Sequence, residues 1–97
     1  MQLYAILRRT GWTTAEDLKE AAERSRSRGE EMLDDVRWIR TYALAEQDGT
    51  LGTVCIYQAS SPEAVREHAQ RADLPVDEII AVADTMIVRP DPEPATV

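Results

Sequence analysis

Three groups of side chains in this 97-residue sequence could do chemistry. The first is a donor pair, Cys55 and His68, the single cysteine and single histidine of the chain. Thiolate sulfur and imidazole nitrogen suit first-row divalent transition metals such as nickel. The pair has no ligand-type spacing, however, and Cys55 sits mid-strand beside Val54 and Ile56, where a structural thiol is the plainer reading. The second group is aromatic and cationic: Tyr4, Arg8, Trp38, Arg40, Tyr42 and Tyr57. Aromatic walls with a few polar groups are how pockets for small aromatic or anionic molecules are built. The third is an acidic cluster, Glu30, Glu31, Asp34 and Asp35, which reads as a solvated helix end. No catalytic residue stands out. With one histidine, every serine would depend on His68 for activation, and neither a P-loop nor a dinucleotide glycine fingerprint is present.

The elements that must position these groups follow from periodicity and punctuation. Gln2 to Arg8 alternates as a strand, with Leu3, Ala5 and Leu7 on one face and Tyr4, Ile6 and Arg8 on the other. Thr10-Gly11-Trp12-Thr13 should break it. Thr14 is an N-cap candidate with Asp17 three residues on, opening a helix to about Leu33 whose stripe is Leu18, Ala22, Ser25, Gly29 and Met32. Val36 to Ala45 reads as a second strand, with Trp38, Arg40, Tyr42 and Leu44 sharing a face. Gln47-Asp48-Gly49 is hairpin turn chemistry, and Thr50 to Gln58 is the third strand. Ser61 caps a second helix with Pro62 at its first position, and its inner stripe is Val65, Ala69 and Ala72. His68 falls at the edge of that stripe, as a boundary residue. Leu74-Pro75 ends this helix, and Ile79 to Val88 reads as the fourth strand. The expected organisation is one α+β domain over residues 1–88 and a disordered proline-rich tail over 89–97.

The order βαββαβ, with right-handed crossovers, puts both helices on one face of a single sheet. That is a ferredoxin-like sandwich. The other face should then alternate cleanly with polar residues, and it does not: strands one and four are apolar on both sides. A second copy of the chain is the simplest cover, giving a homodimer of the dimeric α+β barrel type. By parity, Tyr4, Arg8, Trp38, Arg40, Tyr42, Cys55 and Tyr57 could gather on this second face. There they either pack the dimer interface or line a ligand pocket.

Composition narrows the partners. The net charge of −7 opposes nucleic-acid binding, and an RNA-recognition-like module would need more basic strands. No apolar run is long enough to cross a membrane. A single cysteine cannot form an intrachain disulfide and fits a reducing cytoplasmic compartment.

Several segments carry a resemblance. Val36-Arg37-Trp38, Gly52-Thr53-Val54-Cys55, Ser61-Pro62-Glu63-Ala64-Val65-Arg66-Glu67-His68-Ala69 and Ala72-Asp73-Leu74-Pro75-Val76-Asp77-Glu78-Ile79 are similar to a bacterial domain-of-unknown-function family. Its best-described member is a streptomycete nickel-binding, nickel-responsive protein. The resemblance implies a small, cytoplasmic, actinobacterial, ferredoxin-like dimer that binds or senses a metal ion or small ligand, with no established catalysis. It also implies a departure: Arg40 and Leu74 stand where the nickel-type members carry histidines. A cofactor-free enzyme of the dimeric α+β barrel kind, a monooxygenase or isomerase of a small aromatic or anionic substrate, is the alternative.

Overall fold

The structure is a computed structural model and describes residues 1–93 of the chain. Its elements are β1 (Gln2–Trp12), α1 (Ala15–Glu30), β2 (Val36–Ala45), β3 (Leu51–Ala59), α2 (Pro62–Arg71) and β4 (Glu78–Ala81). The four strands form one antiparallel sheet in the order β2-β3-β1-β4. Each helix joins two strands separated by one other, the split βαβ arrangement of a ferredoxin-like fold. The expected α+β class and element order stand.

Local chemistry sets the helix ends. Thr14 is extended and its hydroxyl accepts from the Asp17 N–H at 3.1 Å; Ser61 does the same for Ala64 at 3.2 Å. Each cap satisfies a donor that the first helical turn would leave free. The Asp48-Gly49 turn is also as expected. Gly49 takes φ +88°, a region that favours glycine, and the Asp48 carboxylate accepts from both the N–H and the hydroxyl of Thr50.

The core lies between the helices and one face of the sheet. From β1 it takes Tyr4, Ile6 and Arg8; from β3, Thr53, Cys55, Tyr57 and Ala59; from α2, Ala64, Val65, His68, Ala69 and the following Ala72. Leu3, Ala5 and Leu7 of β1 and Val54 and Ile56 of β3 alternate onto the open face, where they are half-buried. This inverts the expected sides of β1 and β3: Tyr4, Arg8, Cys55 and Tyr57 lie under the helices. With both faces apolar, alternation alone could not say which one the helices cover.

Two irregularities reset the register. In β2, Trp38 pairs with Tyr57 but Arg40 pairs with Ile56, so Ile39 is an extra residue. Such a bulge sends the side chains beyond it to the opposite face. Trp38 therefore stays on the helix side while Arg40 and Tyr42 fall on the open side, correcting the expectation that the three share a face. In β1 the strand does not break at Thr10. It continues through an irregularity to a buried Trp12, with Thr10 at φ 49°. Glu46 holds this point, accepting from the Thr10 N–H at 2.9 Å and from Arg9 Nε at 3.0 Å. Arg9, then burial opposing it, then Thr10 set the balance that keeps the Glu46 carboxyl below its ordinary pKa.

The fourth strand is shorter than expected. Pairing with β1 runs only from Glu78 to Ala81, opposite Leu7 to Tyr4, and ends where the Val82 N–H donates to the Leu3 carbonyl at 2.9 Å. Beyond it, residues 82–93 carry neither helix nor strand, and Asp91 is tied to Arg40 and Tyr42 of the open face. The rest of the expected tail, residues 94–97, lies outside the described residues.

Gly52 marks the closest backbone approach. A Cβ there would lie 2.7 Å from the Arg8 carbonyl oxygen and 3.2 Å from the Glu46 carboxylate. Gly52→Ala is therefore expected to lower unfolding free energy by about 1–3 kcal/mol in urea titration. Gly49→Ala, in open space but at positive φ, is expected to lose about 1–2 kcal/mol from backbone strain alone.

Candidate functional site

Tyr57 lies at the centre of the covered face. Its hydroxyl is 2.7 Å from that of Ser25 on α1. Its ring stacks on Trp38 of β2 at 6.3 Å between centroids and meets His68 of α2, tilted, at 5.3 Å. The Arg8 guanidinium of β1 sits 6.0 Å from the ring centroid, within cation–π range. Burial pushes the Tyr57 phenol up to about 12, opposed by the Ser25 hydrogen bond and by the charge of Arg8. The phenol is therefore neutral at physiological pH and acts as hydrogen-bonding group and wall, not as a base.

Arg8 is the least expected member of this group. It is only 1% exposed, and Nε and both terminal nitrogens have no hydrogen-bond partner among the described residues. Guanidinium stays protonated in proteins, so a full positive charge sits in the core beside Tyr57. A small, mainly apolar space of about 30 Å³ lies beside the Arg8 side chain, lined by Trp12, Leu18, Ala21, Ala22, Trp38 and Leu74 together with Ser25, Thr41, Thr53, Cys55 and Tyr57.

A larger cleft, about 550 Å³, lies outside this cavity between α1 and β2. Leu33, Val36, Trp38 and Ile39 give it an apolar wall, and Arg26, Arg40 and Glu30 supply charges of both signs. Ser25, Trp38 and Thr41 line both spaces. The Trp38 indole N–H donates to Thr41 Oγ1 at 2.7 Å, which fixes the ring between them.

The structure thus divides the aromatic and cationic set. Tyr4, Arg8, Trp38 and Tyr57 lie beneath the helices, whereas Arg40 and Tyr42 lie on the open face and share Asp91. Arg40 still reaches the rim of the cleft.

The two metal-donor candidates are both buried. Cys55 accepts from the Thr41 hydroxyl at 3.2 Å and donates weakly to Thr53 at 3.5 Å. His68, expected at a boundary, is wholly enclosed, with Nε2 2.9 Å from the Ser25 carbonyl. A carbonyl only accepts, so Nε2 carries the proton and Nδ1 keeps a lone pair, buried and without a partner. A Cβ at Gly29 of α1 would lie 3.7 Å from Nε2, in ordinary contact with the imidazole. No three His, Cys, Asp or Glu side chains converge on a metal-sized space among the described residues. Nickel needs several donors around one centre, so the donor set does not fit a nickel ion within one chain.

What sequence reasoning missed is the burial of Arg8 and His68. The alternation of Tyr4, Ile6 and Arg8 contained the signal, since the three share a face. For His68, the same information lay in its position three residues from Val65 and one from Ala69.

Burial depresses the His68 pKa below its ordinary 6.5, the Ser25 bond opposes this, and the charge of Arg8 lowers it further. The unfolded chain then binds the proton more readily. This part of the stability is complete above pH 6.5 and is lost as pH falls toward the depressed folded value. Urea unfolding of the wild type is expected to weaken between pH 7 and 5 by more than that of His68→Gln, whose pH slope over that range should be flatter.

Comparison with known proteins accords with the fold and the resemblance. The crystal structure of SCO4226 from Streptomyces coelicolor A3(2) superposes with a TM-score of 0.69 at 22% sequence identity, covering 87% of this chain and 99% of that one. At that identity the likeness is one of fold. No curated protein matches the chain. The profile of the family described as nickel responsive protein SCO4226-like matches residues 4–82, spanning every strand, both helices and the Arg8–Tyr57 centre, and the chain belongs to that family.

Proposed function

We propose that this chain is a homodimeric small-ligand-binding protein with a sensing role, and that its ligand seat is the cleft between α1 and β2. The cleft itself carries the reading. Its volume of about 550 Å³ is within the range of small-molecule sites. It offers the face of Trp38 and the side chains of Leu33 and Ile39 to an apolar body and Arg26 to a negative group, with Arg40, paired to Asp91, and Glu30 at its rim. That chemistry suits a small aromatic anion.

The homodimer reading rests on the open face of the sheet. Ile39, Tyr42 and Ile80 are large and exposed there, beside the half-buried Leu3, Leu7, Val54 and Ile56. Covering each large apolar side chain is worth roughly 1.5–3 kcal/mol. A second copy in a dimeric α+β barrel would supply that cover, and the cleft rim at Arg40 would then lie close to the interface. One buried free thiol suits a reducing cytoplasm, and no helix among the described residues is long and apolar enough to cross a membrane.

The family is named for a nickel response. In this chain Cys55 and His68 are held inside the core by their own hydrogen bonds, and Arg40 and Leu74 supply no donor. A response to nickel here would have to act through groups other than these four, or through donors shared across a dimer.

Light scattering at micromolar concentration is expected to report a particle of twice 10.9 kDa. Aromatic carboxylates should quench the Trp38 contribution to fluorescence with dissociation constants below about 1 mM, an effect abolished in Trp38→Phe and retained in Trp12→Phe. A monomer, or quenching indifferent to Trp38, would contradict the reading. Calorimetric titration with nickel should show no binding tighter than about 100 μM that Cys55→Ala or His68→Gln abolishes.

A further inference from the structure

We infer that the segment from Asp84 to Val88 is the arm by which two copies of this chain hold each other, each arm seated in the groove its partner leaves above the open face of the sheet. The inference rests on the homodimer reading and names the element that makes the contact.

The arm begins just beyond β4. The Val82 N–H donates to the Leu3 carbonyl at 2.9 Å, and after it residues 83–93 make no backbone–backbone hydrogen bond among the described residues. The chain leaves the β4 edge, passes over the open face and is pinned at β2 on the other edge. There Asp91 accepts from Arg40 at 2.6 Å and from the Tyr42 hydroxyl. Between these anchors, Thr85-Met86-Ile87-Val88 is made largely of the residue types that fill strands, which is why the sequence reads as strand as far as Val88. Its backbone groups are unpaired, as on the edge of a sheet, and such groups are a template for a second chain.

The side chains make the same point. Met86, Ile87 and Val88 are 88%, 81% and 83% exposed, whereas Leu33, the next large apolar residue among those described, is at 53%. One exposed apolar side chain is ordinary; three in succession mark a contact surface. The arm does not lie flat on its own sheet. A groove of about 710 Å³ stays open between the two, bounded by Leu3, Ile39, Tyr42 and Ile56 of the sheet and by Met86 and Ile87 of the arm.

Two features select a second copy as the occupant. The first is self-complementarity. One side of the chain carries both an apolar arm and an apolar groove, so a twofold axis seats both arms in one closed contact. The second is charge. A net charge of −7 opposes the approach of two copies in general. At the groove, however, Asp84 and Asp91 are matched by Arg40 and Arg89, two charges of each sign. Two chains can therefore meet there without local repulsion.

The test compares the full chain with Ile87→Asp. Ile87 is exposed in the single chain, so the variant should keep the far-ultraviolet circular dichroism of the wild type. Its dimer dissociation constant, from light scattering over a dilution series, is expected to rise by about 100-fold or more, and that of Ile87→Val to stay near the wild-type value. Ile87→p-benzoylphenylalanine, irradiated, should yield a covalent product of twice 10.9 kDa on a denaturing gel. A wild-type dimer whose dissociation constant Ile87→Asp leaves unchanged overturns the inference and leaves the homodimer reading standing. So does a cross-link formed only within one chain, because the arm would then close on its own sheet. A monomeric wild type overturns both.

Discussion

Every layer of this small domain meets at the Tyr57 side chain. Its hydroxyl reaches Ser25 of α1, its ring packs on Trp38 of β2 and His68 of α2, and the Arg8 guanidinium of β1 lies near its face. Few residues other than tyrosine offer a large apolar ring, a quadrupole for a cation and a hydroxyl for a helix at one position. Once this contact is made, Trp38 is set between cleft and cavity, and His68 is pressed against the Ser25 carbonyl. The polar groups in this core are consequences of one packing arrangement, not a scatter of separate exceptions.

That arrangement is also selective about what is left unsatisfied. Nearly all buried polar groups in native proteins find a partner. Among the described residues, the buried side-chain atoms without a partner are the three guanidinium nitrogens of Arg8 and Nδ1 of His68, on residues that both touch Tyr57. Both residues pack against the same ring, so the unpaired groups are gathered at one point of the core. Cys55 and His68 are correspondingly poor metal donors. Cys55 and Nε2 of His68 are committed to hydrogen bonds within the core, and no set of three His, Cys, Asp or Glu donors converges with them among the described residues.

Much of the fold was legible in the sequence, and the reasons are local. Thr14 and Ser61 cap helices because their hydroxyls answer N–H groups three residues on. Asp48-Gly49 turns because Gly49 can take a positive φ. These interactions span a few residues, so the chain reads them before it folds. The sidedness of the sheet was not legible. It depends on which of two apolar faces the helices choose, and on the extra residue at Ile39, which no neighbouring residue announces. A rule of strict alternation therefore put Trp38, Arg40 and Tyr42 together, when the bulge parts Trp38 from the other two. Arg8 escaped for a different reason: its charge argued for the surface, while only the assembled core shows the Tyr57 ring that receives it. Four of the six residues of the aromatic and cationic set, Tyr4, Arg8, Trp38 and Tyr57, do lie together, on the opposite side of the sheet from the one expected.

The central claim is that the charge of Arg8 sits sealed under the Tyr57 ring. Nuclear magnetic resonance of the arginine Nε–H groups examines this most directly. The Arg8 Nε–H is expected to exchange with solvent far more slowly than that of an exposed arginine such as Arg66, and to lose its protection when Tyr57 is replaced by alanine. An Arg8 signal that exchanges as fast as the surface arginines would show that the guanidinium lies in water, and the core described above would be wrong at its centre.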